Sequence, residues 1–150
     1  MEKKWKLSHL GFVVKDMDQV TSYYERLGIG TVGPIQWIRT PDGGRVKTCF
    51  VKVGSLEIEF LQPVEGGGPS SQFLKKHGEG INHLAFTVRD IDREIEDLKN
   101  HGVRLMFRLD VPDYGKIAYF DTGELGGVVM ELVKPIEPTR DKKPGRSIKR

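Results

Sequence analysis

Cysteine is nearly absent: Cys49 is the only one in 150 residues. No intrachain disulfide can form, and that usage fits a reducing compartment. Long apolar runs are missing too. None approaches the roughly 20 residues that a membrane helix needs, and the charged start MEKKWK has no apolar stretch behind it. The expected setting is the cytoplasm, with no membrane partner. Basic charge is scarce outside the end of the chain. Residues 136–150 hold six Lys/Arg against Glu137 and Asp141, which leaves 18 basic and 19 acidic side chains in residues 1–135. The body therefore offers no surface for nucleic acid. The tail at 136–150, poor in apolar residues, is expected to be disordered and merely solvating. The full chain, 37% hydrophobic and 30% charged, suits a soluble globular protein, with one domain expected over residues 1–135.

Within that body the chain repeats itself. LSHLGFVVKDMDQVTSYYERLGI (7–29) aligns without gaps on INHLAFTVRDIDREIEDLKNHGV (81–103), so that His9 falls on His83. GSLEIEFLQP (54–63) echoes GGVVMELVKP (126–135), which puts Glu59 on Glu131. Offsets of 74 and 72 residues mark two copies of one supersecondary unit.

The local pattern of each copy is the same. Leu10, Phe12 and Val14 alternate with His9, Gly11 and Val13, the period of a strand with two different faces. Asp16 and Asp90 are placed to cap helices that stop at Gly28 and Gly102. Strands are expected at 31–38, 46–53 and 56–62, then at 104–109, 116–121 and 127–133. Thr40 to Gly44 has the chemistry of a hairpin turn. The expected fold is α+β: two tandem βαβββ modules, 7–63 and 81–135, forming one curved mixed sheet around a cleft, with helices on the outside. A short linker helix at 69–79 joins them. Uncovered outer sheet edges favour a homodimer.

Four residues fall on the sheet face opposite the helix-packing set: His9, His83, Glu59 and Glu131. A carboxylate flanked by Ile, Phe and Leu in a strand must have its burial offset. One divalent ion (Zn, Fe, Co, Ni or Mn) would do so, and two imidazoles with two carboxylates suit any of these metals. His77 and His101 lack repeat partners and sit at helix ends, where a cation complements the dipole.

Three stretches resemble the vicinal oxygen chelate superfamily, and within it the methylmalonyl-CoA epimerase branch. They are LSHLGFVVKDMD, VKVGSLEIEFLQP and PSSQFLKKHGEGINHLAFTVRDID. The likeness spans residues 7 to about 135 and implies that His9, Glu59, His83 and Glu131 are the metal ligands. It also implies an epimerase that removes the proton alpha to an acyl thioester carbonyl, with a small-molecule acyl thioester as substrate. Glu131 is the expected residue for one acid/base role, and the other stays open between Glu57 and a metal-bound water. Three departures stand out: Asn82 precedes His83 where the epimerases carry a second histidine, Thr48 occupies a position that holds a glutamate in some of them, and Tyr119 to Glu124 replaces an H-P-K stretch at the cleft mouth. Other activities in the superfamily share parts of this set. A lactoylglutathione lyase of the glyoxalase I type uses the same four ligands, an extradiol dioxygenase uses two histidines and one carboxylate, and non-enzymatic binding modules dispense with the ligands.

Overall fold

A computed structural model describes residues 1–66 and 68–137. The basic segment beyond residue 137, with the disorder expected for it, lies outside the described residues. The chain runs β1 (Lys6–Val13), α1 (Met17–Leu27), β2 (Thr31–Val32), β3 (Gln36–Arg39), β4 (Arg45–Val53), β5 (Leu56–Glu65), α2 (Pro69–His77), β6 (Gly80–Thr87), α3 (Ile91–Asn100), β7 (Arg104–Val111), β8 (Gly115–Asp121) and β9 (Val129–Pro135). The nine strands form one mixed sheet in the order β2-β4-β5-β1-β6-β9-β8-β7, with β3 also paired to β4.

Capping chemistry repeats with the sequence. Asp16 accepts from the Gln19 amide at 3.0 Å and Asp90 from the Arg93 amide at 3.1 Å, so both helices open on the same side-chain cap. Gly28 and Gly102 leave those helices with φ of 64° and 79°, a left-handed turn that glycine enters without strain. The expected strand at 31–38 is interrupted. Pro34 has no N–H to give the ladder, so the segment splits into β2 and β3, both on β4. Its counterpart β7 contains no proline and runs unbroken for 8 residues.

Each outer helix covers its own half of the convex face. Val14, Met17, Cys49, Val51 and Phe60 form the core under α1, and Ile91, Ile95, Leu98, Phe120 and Leu132 the core under α3. The other face is treated unequally. In the first half Val13, Val46 and Leu61 are covered by Phe73 and Leu74 of α2, whereas in the second half Ala85, Ile117 and Val133 meet Leu109, Val111, Tyr114 and Tyr119.

The halves join through β1 and β6, which pair antiparallel, while each of these is parallel to the last strand of its own half. This pairing is within one chain. It sets two rows of residues across the centre of the sheet. One row reads Glu59, Gly11, His83, and the other reads His9, Ala85, Glu131.

Candidate metal centre

Each row places a glutamate and a histidine two strands apart, roughly 10 Å between backbones, with a small residue between them. The gap lets both side chains lean inward above the small residue. Gly11 is essential to this: a Cβ built on it would fall within the imidazole ring of His83. Ala85, the equivalent residue in the other row, is fully buried and keeps its methyl group. No role attaches to Gly11 when the strand is read by itself. The signal available was that Gly11 and Ala85 match in the repeat and are the smallest residues on the histidine face.

The four side chains meet. His9, Glu59, His83 and Glu131 are buried, at 1%, 6%, 0% and 2% exposure. His9 Nε2 lies 3.1 Å from Glu59 Oε2 and 3.2 Å from Glu131 Oε2, and His83 Nε2 lies 3.2 and 3.0 Å from the same two oxygens. The two Nε2 atoms are 3.2 Å apart. Donors bonded to one ion at about 2.0–2.2 Å stand roughly 3.0–3.5 Å from one another, so the spacing fits a shared ion. Glu131 Oε2 carries a second indication. It is buried, and the two imidazole nitrogens are the neighbours that face it. A buried carboxylate oxygen at the meeting point of three other potential metal donors is a site that a cation would suit. The four thus form a buried cluster able to hold one metal ion.

Each glutamate has a hydroxyl-bearing residue beside it. Thr48 Oγ1 donates to Glu59 Oε1 at 2.8 Å. Tyr119, the register partner of Glu131, is buried beside that carboxylate, which helps push its phenol well above the ordinary range. Thr48 is thus engaged with Glu59 rather than a free group. Tyr119 was not foreseen in this role. Of the stretch assigned to the cleft mouth, Tyr119 reaches the cleft as part of its wall, and Phe120 faces the other way into the core beneath α3. Strand alternation from the buried Ile117 would have separated the two.

Without an ion the cluster acts as two crossed ion pairs. Burial opposes protonation of both histidines, but contacts with Glu131 and Glu59 outweigh it and push His9 up to about 10 and His83 to about 9. Burial alone would raise the two carboxylates. The imidazoliums instead hold both Glu59 and Glu131 below the ordinary carboxylate range.

Two cavities adjoin the cluster, and Glu59 lines both. The inner one, of about 70 Å³, is mainly apolar and bounded by Val46, Leu109, Ile117, Tyr119, Asn82 and Glu131 among others. The outer one, of about 620 Å³, is bounded by Trp37, Thr48, Phe50 and Glu57. Ile38, Val111 and Tyr114 border both. Glu57 therefore lies at the outer cavity and does not join the cluster. His77 and His101 stay at helix ends.

A family model for the glyoxalase/bleomycin resistance protein/dioxygenase superfamily matches residues 8–120. The chain belongs to that superfamily. It is 30% identical over 135 residues to the uncharacterised protein YqjC of Bacillus subtilis, covering 87% of this chain and 92% of the relative. It is 31% identical to an ethylmalonyl-CoA/methylmalonyl-CoA epimerase of Cereibacter sphaeroides, covering 85% and 96%. The crystal structure of methylmalonyl-CoA epimerase from Mycobacterium tuberculosis superposes with a TM-score of 0.73 at 28% identity, covering 91% of this chain and 94% of that one. The nine-stranded open sheet with three helices is the glyoxalase fold. No helix among the described residues is long and apolar enough to cross a membrane.

Proposed function

We propose that the chain is a divalent-metal-dependent epimerase that moves the proton alpha to the carbonyl of an acyl thioester, of the kind handled by its epimerase relatives. The observation that carries this is the burial and convergence of two imidazole and two carboxylate donors at one point. His9, Glu59, His83 and Glu131 would hold the ion. Once bound, it would act as a Lewis acid that stabilises the negative charge built up when the alpha proton leaves.

The remaining work belongs to the protein. Glu131 borders the inner cavity and is the base that takes the proton. Glu57, exposed at the wall of the outer cavity, is the residue we assign to returning one. Apolar walls exclude water from the reacting carbon, which strengthens every electrostatic contact there. Cavity size argues for a short acyl branch: about 70 Å³ is roughly half the volume that accommodates benzene in an apolar protein cavity. The outer chamber is the one with room for the carrier end of a thioester.

Metal analysis of purified protein, followed by deuterium exchange from solvent into methylmalonyl-CoA, tests this. Metal-dependent exchange at the alpha carbon, lost in His83→Ala, is expected. Stoichiometric metal with no exchange into any malonyl-type thioester would sink the epimerase assignment. A lactoylglutathione lyase has one observation in its favour. Thr48 engages Glu59, so the position that holds a glutamate in some epimerases supplies no second base. Turnover of the methylglyoxal–glutathione hemithioacetal in the same assay would select that reading.

A further inference from the structure

The two strands that carry the histidines each contain a bulge, and the bulges fall at equivalent places. Along the β1–β6 ladder Leu7 pairs with Phe86 and His9 with Ala85, so Ser8 is the extra residue on β1. Gly11 pairs with His83 and Phe12 with Ile81, so Asn82 is the extra residue on β6. Ser8 and Asn82 are repeat partners, and each immediately precedes its histidine. In an unbulged strand a residue and its predecessor point to opposite faces, whereas a bulge re-aims the extra side chain. Here the result is a contact from each bulge residue to the ring beside it. Ser8 Oγ is 3.0 Å from His9 Nδ1, and Asn82 Oδ1 is 3.0 Å from His83 Nδ1.

We propose that Ser8 and Asn82 are positioning residues, delivered by paired β-bulges, that hold the far nitrogen of each metal-binding imidazole and so aim its Nε2 at the centre. This inference rests on the metal centre proposed above. An imidazole that binds through Nε2 carries its proton on Nδ1 and needs an acceptor there. The two positions are chemically unequal. The Asn82 side chain offers one acceptor, its carbonyl oxygen, which selects the Nδ1–H form of His83. The Ser8 hydroxyl can donate or accept, so it orients His9 without selecting a form. Asn82 also lines the inner cavity, so the orientation of His83 is linked to whatever occupies that space.

The test compares cobalt(II) binding to wild type, Asn82→Leu, Asn82→Asp and Ser8→Ala by competition with a chelator. Proton NMR of the cobalt-loaded proteins adds a direct readout, because ligand N–H protons there are shifted and exchange with solvent. Asn82→Leu should weaken affinity by about 10- to 100-fold and speed the exchange of one imidazole N–H. Asn82→Asp keeps an acceptor and should restore both. Ser8→Ala should weaken binding less than Asn82→Leu and affect the other imidazole N–H. If wild type binds cobalt and Asn82→Leu matches it in affinity and exchange, the positioning role is wrong and the centre stands. If wild type binds no divalent ion, both fall together.

Discussion

The two halves match at their four convergent residues and the bulges beside the histidines, and differ in much of what surrounds them. Each supplies one histidine from its first strand and one glutamate from its last, and the β1–β6 pairing brings the two sets to one point. Around that point the symmetry fails. Glu59 is held by Thr48 from the row diagonal to it, while Glu131 is met by Tyr119 directly opposite, and Phe50 and Ile117 fill the exchanged positions. His83 leans over Gly11, but His9 lies beside Ala85. The helix α2 covers the first half's inner face, and aromatic rings line the second. Symmetry suits a metal, whose donors can be alike. Asymmetry suits a substrate, which has different ends. The ligand set came with the repeat, and the chemistry of the cleft lies in what broke it.

The largest expected effect comes from forcing the two rows to be equal. Gly11→Ala should displace the His83 ring, abolish stoichiometric metal binding after desalting, and lower stability by about 1–3 kcal/mol through overpacking. Ala85→Gly should retain the metal and cost about 0.5–1 kcal/mol in a denaturant titration. Equal metal content in the two variants would show that the rows are interchangeable.

The glutamates come next. Glu131→Gln should cut alpha-proton exchange by about 10²–10⁴-fold, the range of a lost general base, while Glu59→Gln should reduce it less with the metal retained. Equal losses would mean that Glu131 acts only as a ligand.

The hydroxyl partners should have smaller effects. Thr48→Val leaves a buried carboxylate oxygen without its partner, an expected cost of about 1–3 kcal/mol, while Tyr119→Phe removes the hydroxyl buried beside Glu131. A pronounced inequality between them in thermal unfolding would show which half tolerates the loss.

Protonation gives the mildest test. In metal-free protein the raised histidines stabilise the fold fully below their unfolded value of 6.5, and that contribution fades as pH rises through about 9 for His83 and about 10 for His9. The depressed carboxylates stabilise it above 4.5 and lose that contribution as pH falls. Metal-free protein should therefore be most resistant to urea between about pH 4.5 and 6.5. Loading with zinc near neutral pH should release protons from both histidines, read by calorimetry in buffers of different ionisation enthalpy. No proton release would mean that both rings are already neutral in the metal-free cluster.

The βαβββ repeat, both aspartate caps, both glycine stops and the four convergent residues were legible in the chain because each depends on local period or on repetition. The break at Pro34 was missed in the single strand expected at 31–38, although a proline cannot serve a ladder, and its outcome depended on β4 accepting two short strands. Tyr119 and Gly11 were hidden for a different reason. A tyrosine in a strand has no assigned partner until the strand opposite is known, and a glycine has no function until something occupies the space above it.

By itself, then, the sequence determined which side chains share a face, since alternation along a strand is a property of the backbone. It also determined that two histidines and two glutamates would be equivalent, since repetition is covalent. Only the tertiary structure decided that they meet. Register across β5, β1, β6 and β9 is set by long-range packing, and it alone put a small residue between each glutamate and histidine. The bulges at Ser8 and Asn82 belong to that same decision, because an extra residue exists only relative to a partner strand.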